Sequence, residues 1–320
     1  MTLLLPISRM RYDITLPLFD GRVRVDGVTF EPQRTSSMVQ SDIPALRTGD
    51  FGIWDLNLGF WLAAIAAGWD IVALPVFSKR KPVFPLIFCR NDAGIDSPRD
   101  LAGKRIGTRQ FRTSVAIWCR GLLQERFGVD LSDVRWFAQV PEAFADHSGK
   151  AVVTYVPETP SMLDRFLGGE VDVLMTDISD AAQFGRLEGN PAVKRLFPDY
   201  RAADLALYRE KGIFTPMHLM VMSGPLARAY PGLARRLYDA FVEAKRIAED
   251  DLASDRAGFG VVYLRERYNE QVAEWGDPWA YGIAANRATI DAFVRYCADQ
   301  GVTRAHLPFE RIFADGTLGT

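Results

Sequence analysis

The chain has 320 residues, of which 48% are hydrophobic and 24% are charged. This length exceeds one ordinary hydrophobic core and predicts two lobes of roughly 100–200 residues each. With 38 basic against 40 acidic residues and a formal net charge of -2, the chain has no basic excess to neutralise a phosphate backbone. The composition therefore excludes a general nucleic-acid-binding protein.

The N-terminal segment lacks the pattern of a secretory signal. Its apolar run, residues 3–5, stops at Pro6, and arginines follow this run instead of preceding it. The longest apolar run, residues 56–68, is too short to span a bilayer. We therefore expect a cytoplasmic protein with no membrane partner.

The three cysteines, Cys89, Cys119 and Cys297, lie far apart within apolar segments. Such spacing fits neither a disulfide framework nor a metal-binding knuckle, and it predicts buried thiols that pack as small apolar side chains. No two histidines lie near each other, so no metal site is predicted.

Short β-like runs alternate with amphipathic helical segments along the chain, which is typical of α/β proteins. A short helix is expected after Ser97-Pro98. The predicted strands cover residues 71–77, 83–89, 105–108, 150–156, 171–176 and 218–222.

The predicted helices begin at polar cap residues and end at glycines. Thr113 or Ser114 is expected to cap a helix that Gly128 ends, and a helix over residues 161–167 precedes a glycine pair. Two later helices carry apolar stripes at helical spacing, one over residues 285–300. The other stripe consists of Leu233, Leu237, Phe241, Ala244 and Ala248.

Two strands have the character of crossings between lobes, one leading into residues 91–94 and the other over residues 218–222. The prediction is a discontinuous lobe I, residues 1–93 plus 219–320, with residues 94–218 inserted as lobe II. This is an α/β clamshell with two crossover strands. Ligands of such folds bind in the cleft between lobes, near strand C-termini and helix N-termini.

The segment from Thr108 to Ser114 joins a predicted strand to a helix N-terminus and carries Arg109, Arg112 and Thr113. Unpaired backbone N–H groups and the positive end of the helix dipole favour an anion there. Simple capping by Thr113, with exposed arginines, is the alternative.

His218 follows Phe214-Thr215-Pro216-Met217 at the second crossing, where an imidazole can give or take a proton near neutral pH. Its alternative is a buried histidine bound to nearby backbone, while His147 and His306 are expected to be solvated. Arg80 is a candidate bidentate clamp for a substrate carboxylate, or else one more solvated charge.

Five further residues are candidates by type and position. Asp55 and Asp177 each follow an apolar strand-like run, where a carboxylate faces a ligand, orients His218 or caps the next helix. Trp54, Trp279 and Tyr281 are suited to stacking an aromatic ligand, or else they fill the core.

Several blocks of the sequence resemble a known family nearly end to end. The stretch DLAGKRIGT (100–108) resembles the type II periplasmic-binding-protein fold, and the chain as a whole resembles the 4,5-dihydroxyphthalate decarboxylase family. The matching blocks are residues 12–13 with Gly21 and Gly27, 74–77, 103–107, 113 with 116–122, 193–200, 212–218, and 277–282 with 286–287.

The chain also departs from the family pattern. Ile14 stands where the family has an arginine after the Tyr-Asp pair, and Val83 and Phe84 stand in place of an arginine and a histidine. Asp55 replaces a glutamate. Arg109 and Arg112 lie in a loop that in the family is uncharged or acidic.

The resemblance implies decarboxylation of a hydroxylated aromatic carboxylate, as in aromatic compound catabolism, without organic cofactor. His218 would protonate the ring carbon, Asp55 would address a phenol, and the arginines would hold carboxylates. The alternative is a non-catalytic solute-binding protein or sensor for a small organic anion. Either way the expected partner is a small organic carboxylate, and a homo-oligomer is left open.

Overall fold

The computed structural model of the protein describes residues 2–8, 12–33, 43–144, 149, 151–177, 181–254, 256 and 258–320. The chain forms two compact units. Unit 1 comprises Met1–Arg80, Pro216–Arg287 and Leu307–Thr320, and unit 2 comprises Lys81–Thr215 and Ala288–His306.

Each unit is an α/β structure built on its own sheet. The strands are β1 (Leu3–Ser8), β2 (Val28–Gln33), β3 (Ile53–Asn57), β4 (Ile71–Ala73), β5 (Lys79–Arg80), β6 (Ile87–Arg90), β7 (Arg105–Gln110), β8 (Arg135–Val140), β9 (Val153–Tyr155), β10 (Val173–Met175), β11 (Val193–Arg195) and β12 (Pro216–Ser223).

Helices of four to 21 residues connect and cover these strands. They are α1 (Leu16–Phe19), α2 (Ile43–Thr48), α3 (Leu58–Ala66), α4 (Ser114–Phe127), α5 (Met162–Leu167), α6 (Ala181–Gly185), α7 (Tyr200–Lys211), α8 (Gly224–Ala229), α9 (Leu233–Ala253), α10 (Leu264–Trp275), α11 (Ile283–Asp299) and α12 (Phe309–Ile312). Among the helices described here, none combines the length and the apolar character needed to cross a bilayer.

The sheet of unit 1 has the order β2-β1-β3-β12-β4, and β5 also pairs with β12. Strand β1 runs parallel to β2 and β3, whereas β12 runs antiparallel to its three neighbours. Helix α9 contributes residues to the same core cluster as Leu5, Ile53 and Met220. All five residues of its predicted stripe are buried, which confirms that prediction.

The sheet of unit 2 has the order β11-β6-β10-β7-β8-β9. Helix α4 follows β7 and begins as predicted: the Thr113 hydroxyl accepts a hydrogen bond of 3.3 Å from Ala116 N. Gly128 ends this helix in the left-handed conformation, with φ of +70°. At Gly121 a Cβ would overlap the ring of Tyr296, so glycine allows α11 to approach α4 closely.

The unit boundaries lie elsewhere than the predicted 93/94 and 218/219. Strand β6 pairs with β10 and β11, so the chain already belongs to unit 2 from Lys81 onward. Trp118 on α4 stacks against Phe293 and Tyr296 on α11, and residues 288–306 therefore belong to unit 2 as well. Contacts so distant in sequence leave no local signal.

The predicted strand over residues 83–89 is wrong in its first half. Phe84–Leu86 forms a 3-10 helix, and the strand begins only at Ile87. Pro82 and Pro85 lack the N–H that a sheet ladder requires, which accounts for the later start. The prediction of buried thiols is confirmed: Cys89, Cys119 and Cys297 are all buried, and burial raises the pKa of Cys89 and of Cys119 to about 12.

Asp204, on α7, is a buried carboxyl group beneath the 3-10 helix of residues 84–86. Its Oδ1 accepts a 3.4 Å hydrogen bond from Val83 N, whereas its Oδ2 has no partner among the described residues. Burial raises the pKa of Asp204 to about 7, against the lowering effect of backbone N–H groups of Phe84 and Val83. The folded state therefore retains a proton that the unfolded chain releases near pH 4.

Because the folded pKa of Asp204 lies above its unfolded value, the contribution of Asp204 to the free energy of unfolding falls as pH rises between about 4 and 7. We predict that Asp204→Asn removes part of this fall, because a neutral amide keeps the acceptor for Val83 N. At pH 8 the free energy of unfolding of the variant should exceed that of the wild type by roughly 2–4 kcal/mol, and at pH 4 the two free energies should agree. Denaturant unfolding at both pH values measures this.

The exposed Asp133 of the same unit provides a control. Asp133→Asn should follow the wild type at both pH values. An Asp204→Asn variant whose difference from the wild type is the same at pH 4 and pH 8 would contradict the linkage.

Candidate functional site

Asp55 and His218 form a hydrogen-bonded pair in unit 1. Asp55 lies opposite Met220 in the antiparallel pairing of β3 with β12, so His218, two residues away, projects from the same face of the sheet. The distance from His218 Nδ1 to Asp55 Oδ2 is 2.9 Å. The two side chains are 18% and 11% exposed, which leaves them reachable yet largely shielded from water.

Two buried serines hold Asp55 in place. The Ser78 hydroxyl donates a short hydrogen bond to Asp55 Oδ1, and Ser8 Oγ accepts one of 3.1 Å from Asp55 N. Ser8 ends β1 and Ser78 directly precedes β5, so segments on both sides of β3 contribute. With the Ser78 hydroxyl at Oδ1 and His218 Nδ1 at Oδ2, each carboxylate oxygen of Asp55 has a hydrogen-bond partner.

This arrangement sets the tautomer of the imidazole. A carboxylate only accepts hydrogen bonds, so Nδ1 of His218 carries the proton directed at Asp55. The second nitrogen, Nε2, is then the one that exchanges a proton with a ligand. The pair is suited to general acid–base chemistry.

Sequence reasoning named Asp55 and His218 but missed Ser8, Ser78 and Tyr12. Burial raises the pKa of Tyr12, and the nearby charge of Asp55 adds to the effect. Serine and tyrosine give no distinctive spacing signal. The signal in the sequence that could have identified Ser78 is its position directly after an apolar run and before two cations.

Arg80 is engaged within unit 1. Its Nη2 donates to Ala280 O at 3.0 Å and to Asn286 Oδ1 at 2.5 Å, and its guanidinium lies 4.9 Å from the centre of the Phe77 ring. It is only 6% exposed, so the solvated-charge alternative is wrong. The contacts give Arg80 a structural role, and its binding to a substrate carboxylate stays a prediction.

The three aromatic candidates lie in two places in unit 1. Trp54 precedes Asp55 and so projects from the opposite face of β3, where it lines a pocket of about 650 Å³ together with Phe51. Trp279 packs against the unit 1 core and Tyr281 is part of it. The latter two fill the core, as the alternative reading allowed.

In unit 2, the residues of the predicted anion site lie at the end of β7, in the loop that follows it and at the start of α4. Arg109 is exposed, Thr113 caps α4, and Ser114 is fully buried. Arg112 is buried: its Nη1 donates to Phe144 O at 3.3 Å, and its backbone N donates to Glu142 Oε1 at 2.8 Å. Burial raises the pKa of Glu142.

The remaining predicted positions are more exposed. Asp177 is exposed, and its backbone carbonyl accepts a 2.6 Å hydrogen bond from Lys81 Nζ. Residues 178–180, between Asp177 and α6, lie outside the described part of the chain, so the capping role of Asp177 stays a prediction. His306 is exposed as predicted, and His147 is also outside the described residues.

Arg120, on α4, is a cation that sequence reasoning did not single out. It is 0% exposed, its Nε donates to Gln300 Oε1 at 2.9 Å, and its two Nη atoms have no partner among the described residues. The guanidinium lies 3.6 Å from the centre of the Phe111 ring, a cation–π contact. Arg120 therefore packs against Phe111, in the segment between β7 and α4.

The three apolar departures from the family pattern are core residues in this structure. Ile14 belongs to the unit 1 core, and Val83 and Phe84 are buried in unit 2. Phe84 packs against Phe127 and Phe197. Apolar packing occupies positions where a cation would need a partner.

No three His, Cys, Asp or Glu side chains of the described residues lie close enough together to hold a metal ion.

Solved structures identify the fold class. The periplasmic aliphatic sulphonate binding protein SsuA of Escherichia coli matches with a TM-score of 0.54 at 12% identity, covering 98% of this chain and 91% of that chain. SsuA of Methylobacillus flagellatus KT matches with 0.58 at 13% identity and the same coverage. Residues 32–156 match the family model described as NMT1/THI5 like. The chain has the two-unit α/β fold of the periplasmic-binding-protein-like class.

Sequence relatives identify the family within that class. A 4,5-dihydroxyphthalate decarboxylase of Comamonas testosteroni is 30% identical over 327 residues, covering 98% of this chain and 97% of that protein. One of Pseudomonas putida is 32% identical over 203 residues, covering 60% and 76%. The chain belongs to the 4,5-dihydroxyphthalate decarboxylase family and is classed with the carboxy-lyases.

Arg120 yields a stability prediction. Arg120→Met should change the free energy of unfolding by less than about 2 kcal/mol, because the lost stack on Phe111 is offset by removal of a desolvated charge. Arg120→Ala also leaves a cavity and should lose roughly 2–5 kcal/mol. Denaturant unfolding compares them, and equal losses in both variants would show that the charge itself stabilises unit 2.

Proposed function

We propose that the protein decarboxylates a hydroxylated aromatic acid similar to 4,5-dihydroxyphthalate, with His218 as the proton donor. The observation that carries the proposal is the 2.9 Å hydrogen bond from His218 Nδ1 to Asp55 Oδ2. The family relationship supplies the reaction class. We further propose that the reaction needs no organic cofactor and takes place in the cytoplasm.

The reaction exchanges a C–C bond for a C–H bond. The bond between the ring and the departing carboxylate breaks, its electron pair stays on the ring carbon, and CO₂ leaves. An ionised hydroxyl para to that carboxylate feeds electrons into the ring, which makes the carbon basic enough to take a proton. The chemistry therefore requires an acid near that carbon and a negative charge that stabilises the protonated form of the acid.

His218 and Asp55 fit these two requirements. Protonated His218 carries a proton on Nε2 while Nδ1 stays bound to Asp55, so the ring keeps its orientation as the proton leaves. The carboxylate of Asp55 stabilises the imidazolium form. Positioned general acids of this kind contribute 10²–10⁴-fold to rate.

We propose that Arg109, Arg112, Thr113 and Ser114 of unit 2 provide anion binding for a substrate carboxylate. Arg109 is exposed near the end of β7, and the chain continues into the 14-residue helix α4, whose dipole is positive at its N-terminal end. Thr113 contributes a hydroxyl group, whereas Ser114, whose side chain is fully buried, contributes the backbone of the first helical turn. Arg112 is buried and held by Phe144 and Glu142, whereas Arg109 is exposed, so Arg109 is the residue chosen to test anion binding.

The test is CO₂ release from a panel of hydroxylated benzoates and phthalates, with ligand binding followed by thermal shift. We predict that His218→Ala lowers kcat by 10²–10⁴-fold while ligand binding persists, because the variant lacks the acid but keeps its fold. Asp55→Asn should lower kcat in the same range, since the amide does not stabilise the imidazolium.

His306→Ala, at an exposed histidine, is the matched control and should retain wild-type kcat. Thermal stabilisation by an aromatic acid without any CO₂ release would reject the decarboxylase. It would instead favour a solute-binding protein, the role named for the structural relatives of this fold.

The anion-binding proposal has its own variant. Arg109→Gln should raise KM about tenfold or more with kcat nearly unchanged, because a charge-assisted contact to a carboxylate is lost from binding. Arg99→Gln, at another exposed arginine of unit 2, is the control. An unchanged KM for Arg109→Gln would remove this residue from the site.

A further inference from the structure

We propose that Ser78 is a positioning residue that acts through Asp55 on His218. The inference rests on the proposed function, in which His218 is the acid. Ser78 is buried, at 1% exposure, and its hydroxyl donates to Asp55 Oδ1 while His218 occupies Oδ2. One carboxylate thus joins the serine to the histidine.

A carboxylate bound on one oxygen only remains free to rotate. The terminal torsion of aspartate is broad, so a single bond to His218 does not fix the plane of the group. The second bond, from Ser78 to Oδ1, fixes that plane and keeps Oδ2 directed at the imidazole. Asp55 is only 11% exposed, so water does not readily replace the missing hydroxyl.

Backbone pairing holds the three side chains in register. Lys79 pairs with His218 between β5 and β12, which places Ser78 next to the strand of the histidine. Asp55 pairs with Met220 on the other side of β12. The relation of serine, aspartate and histidine is therefore built into the sheet of unit 1.

The hydrogen-bond pattern distinguishes Ser78 from a nucleophile. A serine activated for attack donates its proton to a histidine nitrogen, whereas this hydroxyl donates to the carboxylate. Its effect therefore passes through the orientation and tautomer of His218. A merely structural serine would affect stability and leave the imidazole unchanged.

The experiment compares Ser78→Ala with Ser78→Thr, which keeps a hydroxyl. Nitrogen-15 NMR of the histidine side chains reports the His218 tautomer without substrate, at a pH where the ring is neutral. The chain has only three histidines, so the His218 signals are assigned by their absence in His218→Gln. The kcat and KM of CO₂ release are measured on the same samples.

We expect the wild type to hold the proton on Nδ1, and Ser78→Ala to show a mixture of Nδ1–H and Nε2–H forms. Its kcat should fall about tenfold with KM within about twofold of wild type, as for loss of one hydrogen bond. Ser78→Thr should restore both the wild-type tautomer and the wild-type kcat. If Ser78→Ala does not fold, Ser78→Cys, whose thiol is a weak donor, should give an intermediate mixture.

Ser223→Ala is the matched control. Ser223 is equally buried in unit 1, but its Oγ accepts from Leu226 N at 3.2 Å, away from the pair. It should leave tautomer and kcat unchanged. A Ser78→Ala protein with a wild-type tautomer and kcat, or the same losses in Ser223→Ala, would overturn the proposal. Absence of turnover in the wild type would refute the proposed function, and the NMR result would still decide the role of Ser78.

Discussion

The hydrogen bond between Asp55 and His218, which lie 163 residues apart in the chain, depends on the pairing of strands β3 and β12. Strand β3 comes from the first part of unit 1, and β12 enters the same sheet only after the chain has formed most of unit 2. The side chains meet because the antiparallel register sets them two residues apart on one face. A shift of one residue would turn His218 to the other face.

The same sheet explains why neighbours of the pair have other roles. Trp54 and Asp55 are consecutive, yet the pleat directs them to opposite faces, so only Asp55 contacts the histidine. Ser8 and Ser78 reach Asp55 because their segments flank β3 and β12. The Asp55–His218 pair therefore lies on one face of the unit 1 sheet.

Buried cations in this protein are held by their own units. Arg80 donates to Asn286 and Ala280, and Arg120 stacks on Phe111 and donates to Gln300. An arginine removed from water needs such partners, since desolvation of a charge otherwise costs several kcal/mol. The residue type alone therefore predicts neither a ligand clamp nor a solvated charge.

The sequence by itself determined the fold class, the helices α4, α5, α9 and α11, and both residues of the pair as candidates, because these depend on local signals. Thr113 and Gly128 mark the ends of α4 through capping and left-handed geometry, and the α9 stripe follows from helical periodicity. Only the tertiary structure decided that Ser78 contacts Asp55, that Arg120 lies beneath Phe111, and that residues 288–306 join unit 2. These contacts join segments far apart in the chain, where spacing carries no information and side-chain packing selects the partners.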